Sequence, residues 1–328
     1  MSQELIIVII LALIFDFLNG MRDVSNIVAT MISSRAFSPQ TALRIASVAE
    51  FVGPFLFGLV VARTIGDQVV QSSVLTLSTL LAALLGAILW NGLTWYFGLP
   101  GSSSHALLGG LVGAVWAGVG LDAIKWGGVG KVLLALITSP LIGFIIGFIL
   151  TRLIYILVQN ATPRINDFFK GAQFFTAVGL ALSHGSNDAQ KAMGIIALSL
   201  VIGGYLPVFS IPLWVIVISA AVMALGASLG GWRMIHTLGA RIYKIRPLHS
   251  FSTQLTSAIV ILASSLFGVP VSTSQVVSSA IIGVGSSERI SKVRWSVAED
   301  IVTGWLITIP ASGLLAAGIY WLIGIFTP

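Results

Sequence analysis

Two short polar segments interrupt long apolar runs and carry residues that could bind ions. Residues 19–26 include Asp23, and residues 184–191 include Asp188. If the flanking runs lie in lipid, each Asp, Lys or Arg at a helix centre costs about 2.5 to 3.5 kcal/mol. Charges kept at that cost usually serve a function. We therefore interpret both segments as parts of a binding site; the alternative is a polar cluster that only joins helices.

A second pair of motifs supplies hydroxyl groups. Residues 97–105 and 267–275 share the pattern Phe-Gly-x-Pro-x-Ser-Ser/Thr-Ser. A proline ends the preceding helix, and the hydroxyls can then cap a new one. Such hydroxyls near two helix starts suit a tetrahedral oxyanion. Ordinary N-capping is the alternative, but the duplication favours binding by Ser102, Ser103, Ser104, Ser272, Thr273 and Ser274.

The second polar segment offers neutral and charged groups together. Ser186, Asn187 and Gln190 can hydrogen-bond an anion at a helix N-terminus, while the Asp188 carboxylate can hold a small cation. Glu50, in another apolar run, is either a cation ligand or proton acceptor or a helix contact. No zinc-ligand spacing and no nucleotide-binding loop occurs. The neighbours Ser104 and His105 are only a weak hint of a hydrolytic enzyme.

Composition places these motifs in a membrane. The 328 residues are 56% hydrophobic and 9% charged, whereas soluble proteins carry about 25% charged residues. The net charge of +6 comes from basic residues spread over short loops, which favours positive-inside bias over nucleic-acid binding. The sequence contains no cysteine, so disulfides are excluded. We predict an all-α integral membrane protein that needs no cofactor.

Apolar runs suggest about ten to twelve transmembrane helices, since one span needs about 20 residues. Two runs are too long for one span and contain the polar segments, which predicts helices broken at mid-membrane. The runs cover residues 4–34, 41–62, 73–97, 103–119, 130–158, 171–201, 211–231, 254–269, 271–285 and 297–326.

The two halves repeat each other. Gly20 and Asp23 align with Gly185 and Asp188, and the serine motifs align in the same order. We predict an N-terminal repeat over 1–158, a cytoplasmic linker over 159–170 and a C-terminal repeat over 171–328. Five spans per half leave Arg63, Lys125 and Lys131 on one side and most other basic residues on the opposite side. This asymmetry predicts inverted repeats with both termini outside the plasma (inner) membrane. The short serine-flanked segments could still be re-entrant half-helices.

With these motifs, the chain resembles the inorganic phosphate transporter (PiT) family of secondary carriers. Both polar segments are similar to the family's paired signatures, roughly Gly-Ala-Asn-Asp-Val-Ala-Asn, and the serine motifs look like its second pair. The resemblance covers essentially the whole chain and implies phosphate symport driven by Na⁺ or H⁺. Three residues depart from the signature: Arg22, Ser25 and Lys191. Arg22 could contact phosphate or pair with Asp23.

These patterns predict a Na⁺-coupled symporter that imports inorganic phosphate by alternating access, and not an enzyme. We expect the anion between the two carboxylates, and we assign cations to Asp23, Ser25, Asn26, Glu50 and Asp188, with Na⁺ at Asp23 and Asp188. Phosphate is expected on half-helix N-termini, on the six hydroxyls and on Ser186, Asn187, Gln190 and Arg22. The alternatives are a proton-coupled phosphate or metal-phosphate symporter and, less well supported, an anion channel. The small-residue-rich helices are compatible with a homodimer in the bilayer.

Overall fold

The computed structural model describes residues 2–97 and 101–326, and its regular structure is helical. Within these ranges the other regular elements are short 3₁₀ and π turns and one isolated bridge between Val70 and Ile124. The α-helices are α1 (Gln3–Asp23), α2 (Ser25–Ser33), α3 (Pro39–Leu56), α4 (Val60–Arg63), α5 (Leu77–Phe97), α6 (Ser103–Gly118), α7 (Trp126–Leu157), α8 (Ile165–Ile202), α9 (Leu213–Leu229), α10 (Trp232–His236), α11 (Pro247–Leu266), α12 (Thr273–Glu288) and α13 (Trp295–Phe326).

Helix length and composition support a multi-pass membrane protein. Gln3–Ser33, Leu77–Phe97, Trp126–Leu157 and Trp295–Ile325 are each long and apolar enough to cross a bilayer, and the bent pair of α3 with Val60–Gln68 adds a fifth candidate. The larger count of ten to twelve spans stays a prediction. Helices α6 and α12 have 16 residues each. At 1.5 Å per residue they reach about 24 Å, less than the hydrocarbon thickness of about 30 Å.

The order of elements repeats along the chain. Helix α8 corresponds to α1 with α2, and α9 to α13 correspond in sequence to α3 to α7. A π turn follows both α4 and α10. Long helices α7 and α13 each contain one internal proline, Pro140 and Pro310. Helix α7 connects to α8 through residues 158–164, which overlap the first half of the predicted linker 159–170; residues 165–170 already belong to α8.

Helices of each half pack mainly against helices of the other half. Helix α1 packs on α9 and α3 packs on α8, while α6 packs on α13 and α7 on α12. Close approach depends on glycine at equivalent positions. A Cβ at Gly20 would collide with the carbonyl oxygen of Met223, and one at Gly185 would collide with the backbone of Glu50. The reciprocal pairing is the arrangement that a pseudo-twofold axis between the halves produces.

The predicted break in the second polar segment is wrong. Helix α8 runs without interruption from Ile165 to Ile202, through all of residues 184–191. The first segment is interrupted only at Val24, whose N–H still donates to the carbonyl of Gly20 at 3.1 Å. The helices need not unwind because neighbouring helices supply partners for their polar side chains. No free helix N-terminus is therefore available to an anion at Ser186, Asn187 or Gln190.

Candidate functional site

The polar residues converge where the end of α1 and the middle of α8 meet the first turns of α6 and α12. Short helices α6 and α12 begin in the interior because Ser102 and Ser272 cap them. The Ser102 hydroxyl accepts from the N–H of His105 at 3.2 Å, and the Ser272 hydroxyl accepts from the N–H of Gln275 at 3.3 Å. Both serines thus make the ordinary N-cap. Gly98, Leu99 and Pro100 lie outside the described residues, so the first motif is described from Gly101 onward.

Asp23, the carboxylate of the N-terminal half, is held mainly by neutral groups. Ser103 donates to one oxygen and Ser274 to the other, each at 3.0 Å. The Asn26 amide donates to the Ser274 hydroxyl at 3.1 Å. Asp23 is 2% exposed. A buried carboxylate beside two hydroxyl oxygens supplies the oxygen ligands that hard cations prefer.

Asp188, the equivalent carboxylate in the C-terminal half, has a basic partner. Lys191 Nζ lies 2.6 Å from Asp188 Oδ1. The other oxygen accepts from Thr273 at 3.1 Å and from Asn19 at 3.2 Å, and His184 Nε2 lies 3.5 Å away. Asp188 and Lys191 are both fully buried. The twofold repeat therefore brings corresponding residues together but gives the two carboxylates different surroundings.

Glu50 and His184 extend the Asp188 cluster. His184 Nδ1 lies 2.8 Å from Glu50 Oε1, so the ring stands between two carboxylates. Each of its nitrogens faces an acid, and a protonated ring would form two ion pairs. Glu50 thus lies beside His184, and its backbone also contacts Gly185 of α8. Its role as a cation ligand or proton acceptor, or only as a helix contact, stays a prediction.

The spacing of the acids decides what could lie between them. A carboxylate oxygen of Asp23, one of Asp188 and a ring nitrogen of His184 all lie within 4.8 Å of one another. Ionised carboxylates have no proton to donate to an anion, and a phosphate ion between them would need a wider gap than this. The position of phosphate between Asp23 and Asp188 therefore stays a prediction, and it requires the two carboxylates to lie farther apart than they do in this structure.

Several residues predicted to bind phosphate are engaged elsewhere. Gln190 accepts from the N–H of Ala62 at 3.1 Å and donates to the carbonyl of Gly58 at 2.7 Å, which fixes the connection between α3 and α4. Ser104 donates to the carbonyl of Val271 at 3.0 Å. Asn187 contacts Ser265 Oγ at 3.0 Å in either amide orientation.

Two other serines that were predicted to bind ions, Ser25 and Ser186, differ in their hydrogen bonding. Ser25, predicted as a cation ligand, donates to the carbonyl of Arg22 at 2.8 Å. The Ser186 hydroxyl, in contrast, is fully buried and has no hydrogen-bond partner among the described groups. Of the predicted anion ligands on α8, Ser186 is therefore the one with a donor to offer.

Arg22 reaches away from the acidic cluster. Its guanidinium donates to the Asn91 side chain at 2.9 Å, to Thr94 at 3.4 Å and to the carbonyl of Gly101. Its Nε atom lies 4.0 Å from Asp23, at the limit of an ion pair. Arg22 thus ties α1 to α5 and to the residue that leads into α6.

The sequence analysis did not assign Asn19 or His184 to the cation site. Both lie one helical turn before the carboxylate of their own repeat, at i and i+4, which places the side chains on the same face. That spacing was available in the sequence. Asp16, also on α1, is fully buried, and neither of its oxygens has a hydrogen-bond partner among the described groups.

Comparison with known proteins agrees with this arrangement. The model of the phosphate transporter family matches residues 19–316, which include both polar segments and both serine motifs. The chain belongs to the phosphate transporter family. Family membership and the apolar helices together make it a multi-pass membrane protein, and its homologues are transporters and not enzymes.

Individual relatives match over nearly their full length. The chain is 44% identical to a probable low-affinity inorganic phosphate transporter of Rhizobium meliloti, over 95% of this chain and 94% of that protein. It is 42% identical to one of Bacillus subtilis, over 97% and 96%. A solved structure described as the sodium-dependent phosphate transporter has a TM-score of 0.91 at 24% identity, over 99% of this chain and 100% of that one. The two proteins therefore share the same fold.

Proposed function

We propose that this chain imports inorganic phosphate by symport with a cation, and that Na⁺ at Asp23 is the coupling ion. The observation that carries the proposal is an excess of buried acid. Among the described residues, the buried carboxylates are Asp16, Asp23, Glu50 and Asp188, and the basic side chains next to them are Arg22, Lys191 and His184. Even with His184 protonated, one carboxylate is in excess. Uncompensated charge at membrane depth is costly, so this imbalance favours a bound cation.

Asp23 is the carboxylate best suited to the transported cation. Its neighbours Ser103 and Ser274 supply neutral oxygens, and the Asn26 amide adjoins them. The structurally similar protein described as sodium-dependent supports Na⁺ as the first candidate. We do not retain the predicted Na⁺ at Asp188, because an ammonium group already contacts that carboxylate.

Binding of the cation would prepare the site for phosphate. Each hydroxyl has one proton, and the protons of Ser103, Ser274 and Thr273 are donated to carboxylates. A cation between Asp23 and the serine oxygens would use their lone pairs and release the O–H groups to donate to an anion. Together with the backbone N–H groups at the starts of α6 and α12, these donors would bind phosphate after the cation, which makes transport of the two obligatorily coupled.

The direction of import also requires a coupled cation. A phosphate dianion that enters a negative-inside cell works against about 2.3 kcal/mol per charge per 100 mV, or roughly 4.6 kcal/mol in total. We propose that the inverted repeats move against each other around the central site, with both termini outside the plasma membrane.

Proton coupling is the second candidate, and a specific contact favours it. His184 stands between Glu50 and Asp188, and a histidine between two acids can carry a proton through the site. Transport of phosphate alone or as a metal-phosphate complex would use the same acidic cluster.

Labelled phosphate uptake into proteoliposomes tests the proposal. We expect an inward Na⁺ gradient to drive uptake above the equilibrium level, and Asp23→Asn to remove the Na⁺ stimulation. The matched control is Asp67→Asn, because Asp67 pairs with Lys125 at a partly exposed site. Uptake driven only by a pH gradient would favour proton coupling. Phosphate that only equilibrates under both gradients would overturn the symporter.

A further inference from the structure

At one pair of equivalent positions in the internal repeat, both next to the site, the two halves have residues of different charge. Three residues after each carboxylate, the N-terminal half has Asn26 and the C-terminal half has Lys191. Asn26 touches Asp23 only indirectly, through the Ser274 hydroxyl. Lys191 contacts Asp188 directly, with its Nζ at 2.6 Å from Oδ1.

The lysine ammonium takes the position that a hydroxyl has in the other half. Ser274 donates to Asp23 from the second position of α12. Its counterpart Ser104, the second residue of α6, instead donates to the backbone of Val271 and not to Asp188. The corresponding oxygen of Asp188 is occupied by Lys191. Ser274 and Ser104 therefore make different hydrogen bonds, because Lys191 occupies the Asp188 oxygen that would correspond to the one Ser274 contacts on Asp23.

The remaining oxygen of Asp188 already has partners within the protein. Oδ2 accepts from Asn19 and Thr273 and faces His184. Lys191 is fully buried, and an ammonium group without a counterion would be very costly at this depth. A pair between Lys191 and Asp188 is therefore stable without any transported ion.

We propose that the Lys191 ammonium is a resident cation that substitutes for a transported cation at the second carboxylate. This inference rests on the proposed function, since it concerns the number of coupled cations. It assigns one transported cation, at Asp23, to each transport cycle. It also makes Lys191 the residue that sets the coupling ratio.

Flux ratios in wild-type proteoliposomes give the first test and need no variant. The labelled cation that drives uptake is counted against labelled phosphate, and the dependence of the rate on cation concentration is fitted. We expect one cation per phosphate and a Hill coefficient of about 1. A ratio of two would overturn the resident-cation inference and leave the symporter intact. Absence of gradient-driven uptake would instead contradict the proposed function.

Exchange of the repeat-related residues gives the second test. Lys191→Asn recreates the N-terminal arrangement, so we expect a second transported cation and a Hill coefficient that rises toward about 2. The charge moved per phosphate should rise by one elementary charge. An active variant that keeps the wild-type ratio and charge would overturn the inference. The reciprocal Asn26→Lys should remove cation stimulation, because a second ammonium would then occupy Asp23; retained stimulation with an unchanged ratio would also count against it.

Discussion

At the scale of single residues, two aspartates related by the repeat differ in what surrounds them. Asp23 is held by two serine hydroxyls, and Asp188 by a lysine, an amide, a threonine and a histidine. The same residue type is therefore suited to an exchangeable ion in one half and to a permanent ion pair in the other. Substitutions of their partners should separate these roles.

Removal of a serine hydroxyl at Asp23 should weaken binding of the cation. We expect Ser274→Ala to raise the Na⁺ concentration for half-maximal uptake about tenfold, which corresponds to about 1.4 kcal/mol. Ser199→Ala is the matched control, because Ser199 is also buried but donates to its own helix at Ile196. Equal effects of the two variants would show that the loss is general to buried serines and not specific to the site.

We expect Arg22 to hold α1 in place against α5 and Gly101 more than to contact phosphate. Its guanidinium bridges Asn91, Thr94 and Gly101, and a lysine cannot reproduce this fork. We expect Arg22→Lys to lower thermal stability and the maximal uptake rate while the phosphate KM changes less than about threefold, or 0.7 kcal/mol. A large rise in KM at unchanged thermal stability would instead indicate direct contact between Arg22 and phosphate.

At the scale of helices, the polar segments depend on close backbone contact. Gly185 meets the backbone of Glu50 on α3, and a methyl group there would push α8 away. We expect Gly185→Ala to destabilise the protein by about 1 to 3 kcal/mol and to reduce uptake. Gly318→Ala is the control, since a Cβ at that position in α13 meets nothing within 4 Å and alanine favours a helix. Thermal unfolding in detergent compares the two.

The sequence predicted the membrane class, the duplicated motifs and the convergence of Asp23, Asp188 and the serine motifs. Composition predicted the membrane class, and the internal repeat predicted the convergence, because two copies of a motif occupy equivalent positions. The sequence did not predict that α8 continues through its polar segment. Helix α8 stays continuous because side chains of distant helices bind its polar residues, as Asn19 does for Asp188. The local sequence pattern does not show which distant residues will be these partners. The direction in which Arg22 points was undetermined for the same reason.

At the scale of the whole molecule, helix order repeats, and inversion of the halves can be tested at equivalent sites. Asp122 and Ser291 lie in the corresponding 3₁₀ turns before α7 and α13, and both are exposed. The native chain has no cysteine, so Asp122→Cys and Ser291→Cys can each be labelled alone. Inverted repeats predict that a membrane-impermeant thiol reagent reaches the two cysteines from opposite faces. Labelling from one face would mean parallel repeats.

The exchanged packing of the halves has a consequence for biosynthesis. Ser274, which donates to Asp23, lies 251 residues farther along the chain. At synthesis rates of about 5 to 20 residues per second, the ribosome needs roughly 13 to 50 s to make that partner. For most of this interval α1 has already been synthesised with Asp16 and Asp23, while α9 and α12 have not. Until the second half is synthesised, α1 must therefore stay next to the insertion machinery or pack temporarily against helices of its own half.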